Sequence, residues 1–213
     1  MALSTDTEDE LPPETGGRFS VVVNVLSVLI VVLAAAWSLD IPRQMGMAFY
    51  PAQFLSLVLG LAVALAFLTR SARAVPQGGV PPWYDLIAAA LGLGVGVVMS
   101  IRYPALVDLV LLRPPEAVAI GAIVLPLILE ALRRTVGPTL VVVVFVFFAY
   151  ALWGDYVPGR LAGRPQGWDK VASYLAFDVN GVLGVPLQIA STVVIGFILF
   201  GMFLNRAGGA KFF

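Results

Sequence analysis

Long apolar runs separated by short charged segments make up most of the chain from residue 19 onward. A bilayer has a hydrocarbon core about 30 Å thick, which a helix of about 20 apolar residues can cross. The sequence offers six runs of this kind, at 19–39, 50–69, 84–101, 116–132, 136–153 and 183–204. They are rich in Leu, Val and Ala and do not alternate apolar with polar positions, so the pattern predicts membrane helices rather than a barrel.

Composition supports the same fold class. Only 12% of the residues are charged and 60% are hydrophobic, whereas about 25% of residues are charged in a soluble domain. Trp37, Trp83 and Trp153 fall at ends of predicted spans, where the amphipathic indole ring prefers the headgroup region. We therefore predict an all-α polytopic membrane helix bundle with about six transmembrane helices.

Basic residues between the spans indicate the orientation. They follow the second span at Arg70 and Arg73, the fourth at Arg133 and Arg134, and the sixth at Arg206 and Lys211. Short basic loops stay on the cytoplasmic side, so this pattern predicts that both termini face the cytoplasm. The bias is modest because the longer loops of the opposite side hold a similar number of basic residues together with acids.

Two segments outside the spans have compositions of their own. Residues 1–18 are acidic and are predicted to form a disordered cytoplasmic tail. The long outer loop 154–182 is rich in Gly, Pro, Trp and Tyr, and a loop of that length is usually functional or contains secondary structure. We expect a short amphipathic helix near 168–177 on the outer surface. A plain spacer is the alternative.

Several classes of chemistry are excluded by residue type. The chain has neither His nor Cys, so it cannot form the usual zinc sites, an iron–sulfur cluster, a thiol nucleophile or an imidazole base. Thirteen basic and thirteen acidic residues give a net charge of zero, which provides no basic field for nucleic acid. No catalytic motif is present. We predict that the chain has no enzyme activity and holds no cofactor. Intramembrane catalysis is the alternative.

The centres of the predicted spans contain no acidic or basic residues. Ionisable groups inside a membrane commonly mark ion or proton paths, so their absence argues against a self-sufficient pump. Mildly polar residues such as Gln53, Ser56 and Gln188 are interpreted as hydrogen-bonding to neighbouring helices. Gly92, Gly94 and Gly96 are predicted to form a small-residue face on the third span that would allow close approach of another helix.

Candidate interface residues lie near the span ends. Glu130 precedes Arg133 and Arg134 by three and four residues, a spacing that pairs opposite charges on a helix. We favour the interpretation that the two arginines anchor the span end at the membrane surface. The alternative is a partly buried carboxylate held between two guanidiniums that fixes a neighbouring subunit or domain. Asp85 opens the third span, where a carboxylate suits the positive end of the helix dipole.

Several strings in order resemble the N-terminal part of the fused permeases of tripartite ATP-independent periplasmic (TRAP) transporters, in which a small four-helix and a large twelve-helix membrane subunit form one chain. The first group of strings is Tyr84-Asp85, Ile101-Arg102-Tyr103, Leu129 to Gly137, Tyr150 to Gly154 and Pro158-Gly159. The second group is Asn180-Gly181, Gly184 to Leu187, Ala190 to Val194, Phe197 to Gly201 and Phe203-Leu204. Arg102 and Asn180 are two further candidate interface residues within these strings.

The resemblance implies a multi-pass protein of the bacterial inner membrane that takes part in secondary transport. In this family a periplasmic solute-binding protein delivers an organic acid or similar solute, and a sodium gradient drives uptake. Fused permeases of this kind are often associated with the TAXI class of binding protein. The large subunit carries the substrate and sodium sites and works as an elevator, and the small-subunit region contributes to the rigid scaffold.

Mapped onto this chain, the resemblance makes 19–153 a small-subunit-like scaffold of five spans, 154–182 a periplasmic loop and 183–213 the first span of a large-subunit-like region. The family's transport residues would then lie beyond Phe213. The implied partners are a large-subunit-like permease region, fused or separate, the binding protein and membrane lipid. The competing hypothesis is a stand-alone membrane assembly or interaction protein without transport activity.

Overall fold

The protein is described by a computed structural model that covers residues 18–70, 82–164 and 166–208. Every regular element in these ranges is helical. Six helices are long and apolar enough to cross a membrane: Ser20–Ser38, Pro51–Thr69, Trp83–Val110, Pro115–Thr135, Pro138–Tyr156 and Val185–Arg206. The predicted all-α polytopic bundle is therefore confirmed. The predicted acidic tail lies outside the described residues except for Arg18.

The helices in chain order are α1 (Arg18–Ser38), α2 (Ile41–Gln44), α3 (Pro51–Thr69), α4 (Trp83–Leu106), α5 (Pro115–Thr135), α6 (Pro138–Trp153), α7 (Trp168–Phe177), α8 (Val185–Ile189) and α9 (Ile195–Arg206). Short 3₁₀ segments cover Val107–Leu112, Gly154–Tyr156 and Gly159–Leu161, and a π-helical segment, Ala190–Val194, joins α8 to α9. Proline begins α3, α5 and α6, because the first turn of a helix does not use its amide protons.

The third span is longer than the sequence predicted. Its predicted end at residue 101 rested on the charge of Arg102, but α4 continues to Leu106 and a 3₁₀ segment follows it. The helix accommodates the charge because Arg102 pairs with Glu116 at the start of α5. Pro104 also lies inside α4, close enough to its end that the helix stops within one turn.

Helices α3 and α4 form the most closely packed pair. A Cβ atom added to Gly96 would lie 2.7 Å from Gly60 Cα, and one added to Gly60 would lie 2.9 Å from the Gly92 carbonyl oxygen. Gly94 has no neighbour within 4 Å of such an atom, because a residue two positions away from Gly92 and Gly96 lies on another face of the helix. The predicted close approach therefore occurs, and it uses Gly92 and Gly96 but not Gly94.

Helix α7 has the bounds predicted for the short helix of the outer loop. It packs against α5, where Gly121 faces the backbone of Ala172 so closely that a Cβ atom would collide with it. Ala172, Ala176 and Phe177 are buried in the common core. One face of this amphipathic helix is thus part of the bundle's core. Small residues on both helices permit this insertion.

The remaining spans surround this core and bury little of their surface. Only 6% of the residues are buried in the first, fifth and sixth of these spans, compared with 61% in the second, Pro51–Thr69. Trp37 of α1 stacks on Phe54 of α3 with 4.8 Å between ring centroids. The outward faces of α6 and α9 consist of large apolar side chains. Such faces suit contact with lipid or with another membrane protein.

Candidate functional site

Two carboxylates and two guanidiniums meet at one end of the bundle. The last turns of α3 and α5 and the first turn of α4 form this end, which we name the inner end after the predicted orientation. Asp85 comes from the first turn of α4, and Glu130, Arg133 and Arg134 come from the end of α5. Consecutive spans run in opposite directions, so the start of α4 lies beside the end of α5. These four residues form the inner-end ion cluster.

Arg134 is the centre of the cluster and connects three helices. Its Nη1 donates a hydrogen bond to Asp85 Oδ1 at 2.6 Å, and its Nε donates to Glu130 Oε1 at 2.8 Å. Nη1 also lies 3.3 Å from the backbone carbonyl of Arg70, one residue beyond α3. The guanidinium carbon is 4.5 Å from the ring centre of Phe67, which is the geometry of a cation–π contact.

Burial separates the Asp85–Arg134 pair from an ordinary surface ion pair. The Asp85 side chain is fully buried and that of Arg134 is 6% exposed. A pair withdrawn from water compensates for its lost hydration only when the geometry is good and the other polar atoms are also satisfied. Within the described residues, every buried side-chain nitrogen and oxygen has a hydrogen-bond partner. The pair therefore favours one arrangement of α3, α4 and α5.

Glu130 pairs with both arginines, as the sequence spacing predicted. Its carboxylate accepts two hydrogen bonds from Arg133, at 2.7 and 2.8 Å, besides the one from Arg134. Arg133 is 45% exposed, which agrees with an anchor at the membrane surface. Arg134 does not fit that interpretation. Consecutive residues differ by about 100° around a helix, and this rotation turns Arg134 toward α3 and α4.

Asp85 lies in the first turn of α4, where the helix dipole stabilises a carboxylate. The sequence reasoning missed its partner, which is 49 residues further along the chain. The sequence does contain a pattern that indicates this pairing. An acid in the first turn of one span and an arginine in the last turn of the next must lie at the same end of the bundle.

The opposite, outer end carries two ion pairs of another character. Arg102 donates two hydrogen bonds to Glu116, at 2.5 and 2.6 Å, and thereby joins α4 to α5. Arg113 Nη1 lies 2.9 Å from Asp169 Oδ2 and ties the segment before α5 to α7. These four side chains are 39–49% exposed. The hydrogen bond from Arg113 lowers the pKa of Asp169 below its usual value. Of these residues only Arg102 was a candidate from the sequence.

Asn180 is not brought near the other candidate residues. Its backbone amide and side-chain Nδ2 donate to Asp178 Oδ1, at 2.8 and 3.0 Å. This is a local turn that ends α7, of the kind in which a side-chain oxygen replaces a backbone acceptor. Asn180 is exposed. Its geometry assigns it a role in the backbone turn after α7.

The charges of this bundle join helices at their ends. The central stretches 20–38, 51–69, 86–101, 117–129, 139–154 and 186–205 contain no Asp, Glu, Lys or Arg. No group of three or more acidic residues that could hold a metal ion occurs within 18–70, 82–164 and 166–208. Such an arrangement suits mechanical coupling of helices, whereas ion and proton paths place ionisable groups within the spans.

Comparison of the chain with protein-family models, with curated proteins and with solved structures found no match. The resemblance to TRAP permeases therefore stays a prediction from the quoted strings. The geometry of the spans and of their ion pairs is the physical basis on which a function can be proposed.

Proposed function

We propose that this chain is the membrane scaffold part of a TRAP-type secondary transporter permease in the bacterial inner membrane, with both termini cytoplasmic. It supports a large-subunit-like permease region, fused or separate. A periplasmic binding protein delivers an organic acid-like solute, and a sodium gradient drives its uptake. The placement of charge carries this proposal: ionisable groups link helices at the bundle ends and are absent from the span centres.

This distribution supports a static role. The inner-end ion cluster joins α3, α4 and α5, and the Arg102–Glu116 pair joins α4 to α5 at the other end. Helices α4 and α5 are tied at both ends, and glycine contacts join α3 to α4. Packed interfaces of this kind resist relative sliding because they do not deform continuously. A scaffold needs that resistance while another region moves.

The outer spans support a partner within the membrane. Helix α6 has no buried residue and α9 has none. Their exposed side chains include Phe145, Phe147, Phe197 and Phe203, and aromatic residues are enriched where proteins meet. These faces can receive the helices of a large-subunit-like region without any change in the core.

A stand-alone assembly or interaction protein is the second candidate. Its support is the same lack of ionisable groups in the span centres. This candidate predicts a membrane partner unrelated to solute transport. The two candidates differ in what copurifies with the chain and in whether uptake is reconstituted.

The test begins with affinity purification of the full chain from its native membranes in mild detergent, followed by mass spectrometry. We expect a membrane protein that supplies the remaining spans of the large-subunit-like region. Proteoliposomes that contain the purified assembly and the cognate binding protein should take up solute only when a sodium gradient is imposed. Vesicles that contain this chain alone should take up none.

A matched pair of variants connects the structure to that assay. Asp85→Asn removes the charge that balances buried Arg134 and should reduce assembly and uptake together. Asp108→Asn changes an exposed acid of the outer end and should leave both unchanged. Uptake by the chain alone, or copurification only of proteins without transport spans, would contradict the scaffold proposal.

A further inference from the structure

An apolar groove runs between α6 and α7 at the outer end of the bundle. Phe147, Phe148 and Ala151 of α6 line one side, and Tyr174 and Leu175 of α7 line the other. Its volume is about 520 Å³, within the range of about 300–1,000 Å³ typical of ligand pockets. Neither the ion pairs nor the glycine contacts described above involve this groove.

The sequence builds the groove by restraining the loop that follows α6. The Gly163 amide donates to the Gly154 carbonyl at 2.8 Å, and the Gln166 amide donates to the Ala151 carbonyl at 3.3 Å. Gly154 and Gly163 approach so closely that a Cβ on either would lie 3.3–3.5 Å from the other's Cα. The loop therefore lies along the end of α6 and places Gln166 at the mouth of the groove.

Lys170 provides the one positive charge of the lining. Its side chain is exposed, and in the described part of the chain no carboxylate lies within ion-pair distance of its ammonium group. The adjacent Asp169 is engaged by Arg113. Lys170 is thus a cation beside an apolar surface, available to an anionic group from outside the protein.

The groove extends from the expected headgroup level toward the hydrocarbon layer. Trp153 ends α6, and Trp168 packs edge-on against Phe148 with 5.6 Å between ring centroids. Because tryptophan prefers the headgroup level of a bilayer, these two residues indicate where that level lies. Val144, the deepest lining residue of α6, lies about 13 Å below Trp153 along the helix axis. A headgroup at Lys170 would therefore have its acyl chain directed into the groove.

From this charge complementarity we propose that the α6–α7 groove binds one anionic phospholipid, with its phosphate at Lys170 and one acyl chain along Phe147, Phe148 and Ala151. The site would retain such a lipid in preference to a zwitterionic one. It would fill the sparse contact between α6 and α7 and so support the position of α7.

The test uses quenching of tryptophan fluorescence by brominated acyl chains. Trp37→Phe, Trp83→Phe and Trp153→Phe are combined so that Trp168 alone reports in vesicles. Brominated phosphatidylglycerol and brominated phosphatidylcholine are compared at equal mole fractions. We expect quenching to indicate about fivefold tighter binding of phosphatidylglycerol, the contribution of one lysine near an anionic headgroup.

Three further substitutions in this background decide the outcome. Lys170→Gln should abolish the headgroup preference. Arg160→Gln removes an exposed cation from the segment between α6 and α7, and this cation does not line the groove. This variant should retain the preference. Ala151→Phe fills the groove while Lys170 stays in place, and it should abolish the preference if the acyl chain occupies the groove.

Equal quenching by both lipids in the parent protein would overturn the proposal. A second copy of the chain that closed the groove would give this result. A preference that survives Lys170→Gln or Ala151→Phe, or that disappears in Arg160→Gln, would also overturn it. These outcomes are independent of solute uptake, so they do not depend on the scaffold proposal.

Discussion

The two ends of the bundle use the same chemistry in different surroundings. At the inner end, Asp85 and Arg134 pair at 2.6 Å with 0% and 6% of their side chains exposed. At the outer end, Arg102 and Glu116 pair with similarly short contacts while 49% and 39% exposed. Distance alone would therefore predict that the two pairs contribute equally to stability.

The difference lies in what happens when a partner is removed. An exposed charge that loses its partner is hydrated by water, so surface pairs contribute little. A buried charge that loses its partner remains in a medium of low dielectric constant. The ion pairs of the inner end therefore fix the arrangement of the helices, and those of the outer end contribute less to its stability. Four predictions test this comparison, in order of decreasing effect.

The largest effect is expected from Arg134→Met, which leaves the carboxylate of Asp85 buried without its guanidinium. We expect the free energy of unfolding to fall by about 3–5 kcal/mol, measured as loss of helical circular dichroism during titration of micelles with sodium dodecyl sulfate. The matched control is Arg133→Met. The Arg133 side chain is half-exposed, so this substitution should lower the free energy of unfolding much less.

The double variant Asp85→Leu/Arg134→Met sharpens this result. Apolar replacement of a whole buried ion pair is often neutral, so the double variant should recover most of the stability lost in Arg134→Met. Equal losses from Arg133→Met and Arg134→Met, or no recovery in the double variant, would mean that burial does not distinguish the inner end.

An intermediate effect is expected from Glu130→Ala. This change removes one acceptor from the buried guanidinium of Arg134, while Asp85 still balances its charge. A buried donor left without an acceptor costs about 1–3 kcal/mol. The same titration measures this loss, and a value as large as that of Arg134→Met would show that Glu130, and not Asp85, is the principal counter-ion.

A smaller effect is expected from Arg102→Gln at the outer end. Its partner Glu116 is exposed enough to be hydrated, so the loss of stability should be below that of Glu130→Ala. Salt should also separate the two ends, because the Debye length falls to about 3 Å at 1 M. The effect of Arg102→Gln should shrink in 1 M sodium chloride, while that of Arg134→Met persists. Persistence of both would contradict the comparison.

The smallest effect concerns the acid response of Asp169. Arg113 lowers the pKa of this carboxylate from its ordinary value of 3.8, so the ion pair stabilises the folded protein above that value, and its contribution is lost as the pH falls through the lowered pKa. Trp168 emission, in the variant where it is the only tryptophan, should be constant from pH 7 to about 5 and change below about 4.

Asp169→Asn isolates this titration from that of the other carboxylates. The difference between its acid profile and that of the parent should be confined to the range below about pH 4. Asp108→Asn, which changes an exposed acid of the outer end, should give the parent's profile. A difference that begins near neutral pH would show that Asp169 has a raised rather than a lowered pKa.

The sequence by itself determined the class of fold and most of the helix bounds. Unpaired amide groups are not tolerated in lipid, so a spanning segment forms a helix or part of a closed barrel, and long apolar runs without apolar–polar alternation favour the helix. Local spacing likewise fixed the pairing of Glu130 with Arg133 and Arg134, since residues three and four apart always share a helix face. The short helix Trp168–Phe177 was also predictable from composition.

The tertiary structure alone decided which residues became buried. Arg133 and Arg134 are identical neighbours in sequence, yet only Arg134 faces α3 and α4, and only there does it meet Asp85 and Phe67. Gly94 belongs to the same small-residue segment as Gly92 and Gly96 but faces outward. Burial depends on how helices are rotated against one another, and that rotation results from the packing of the whole bundle.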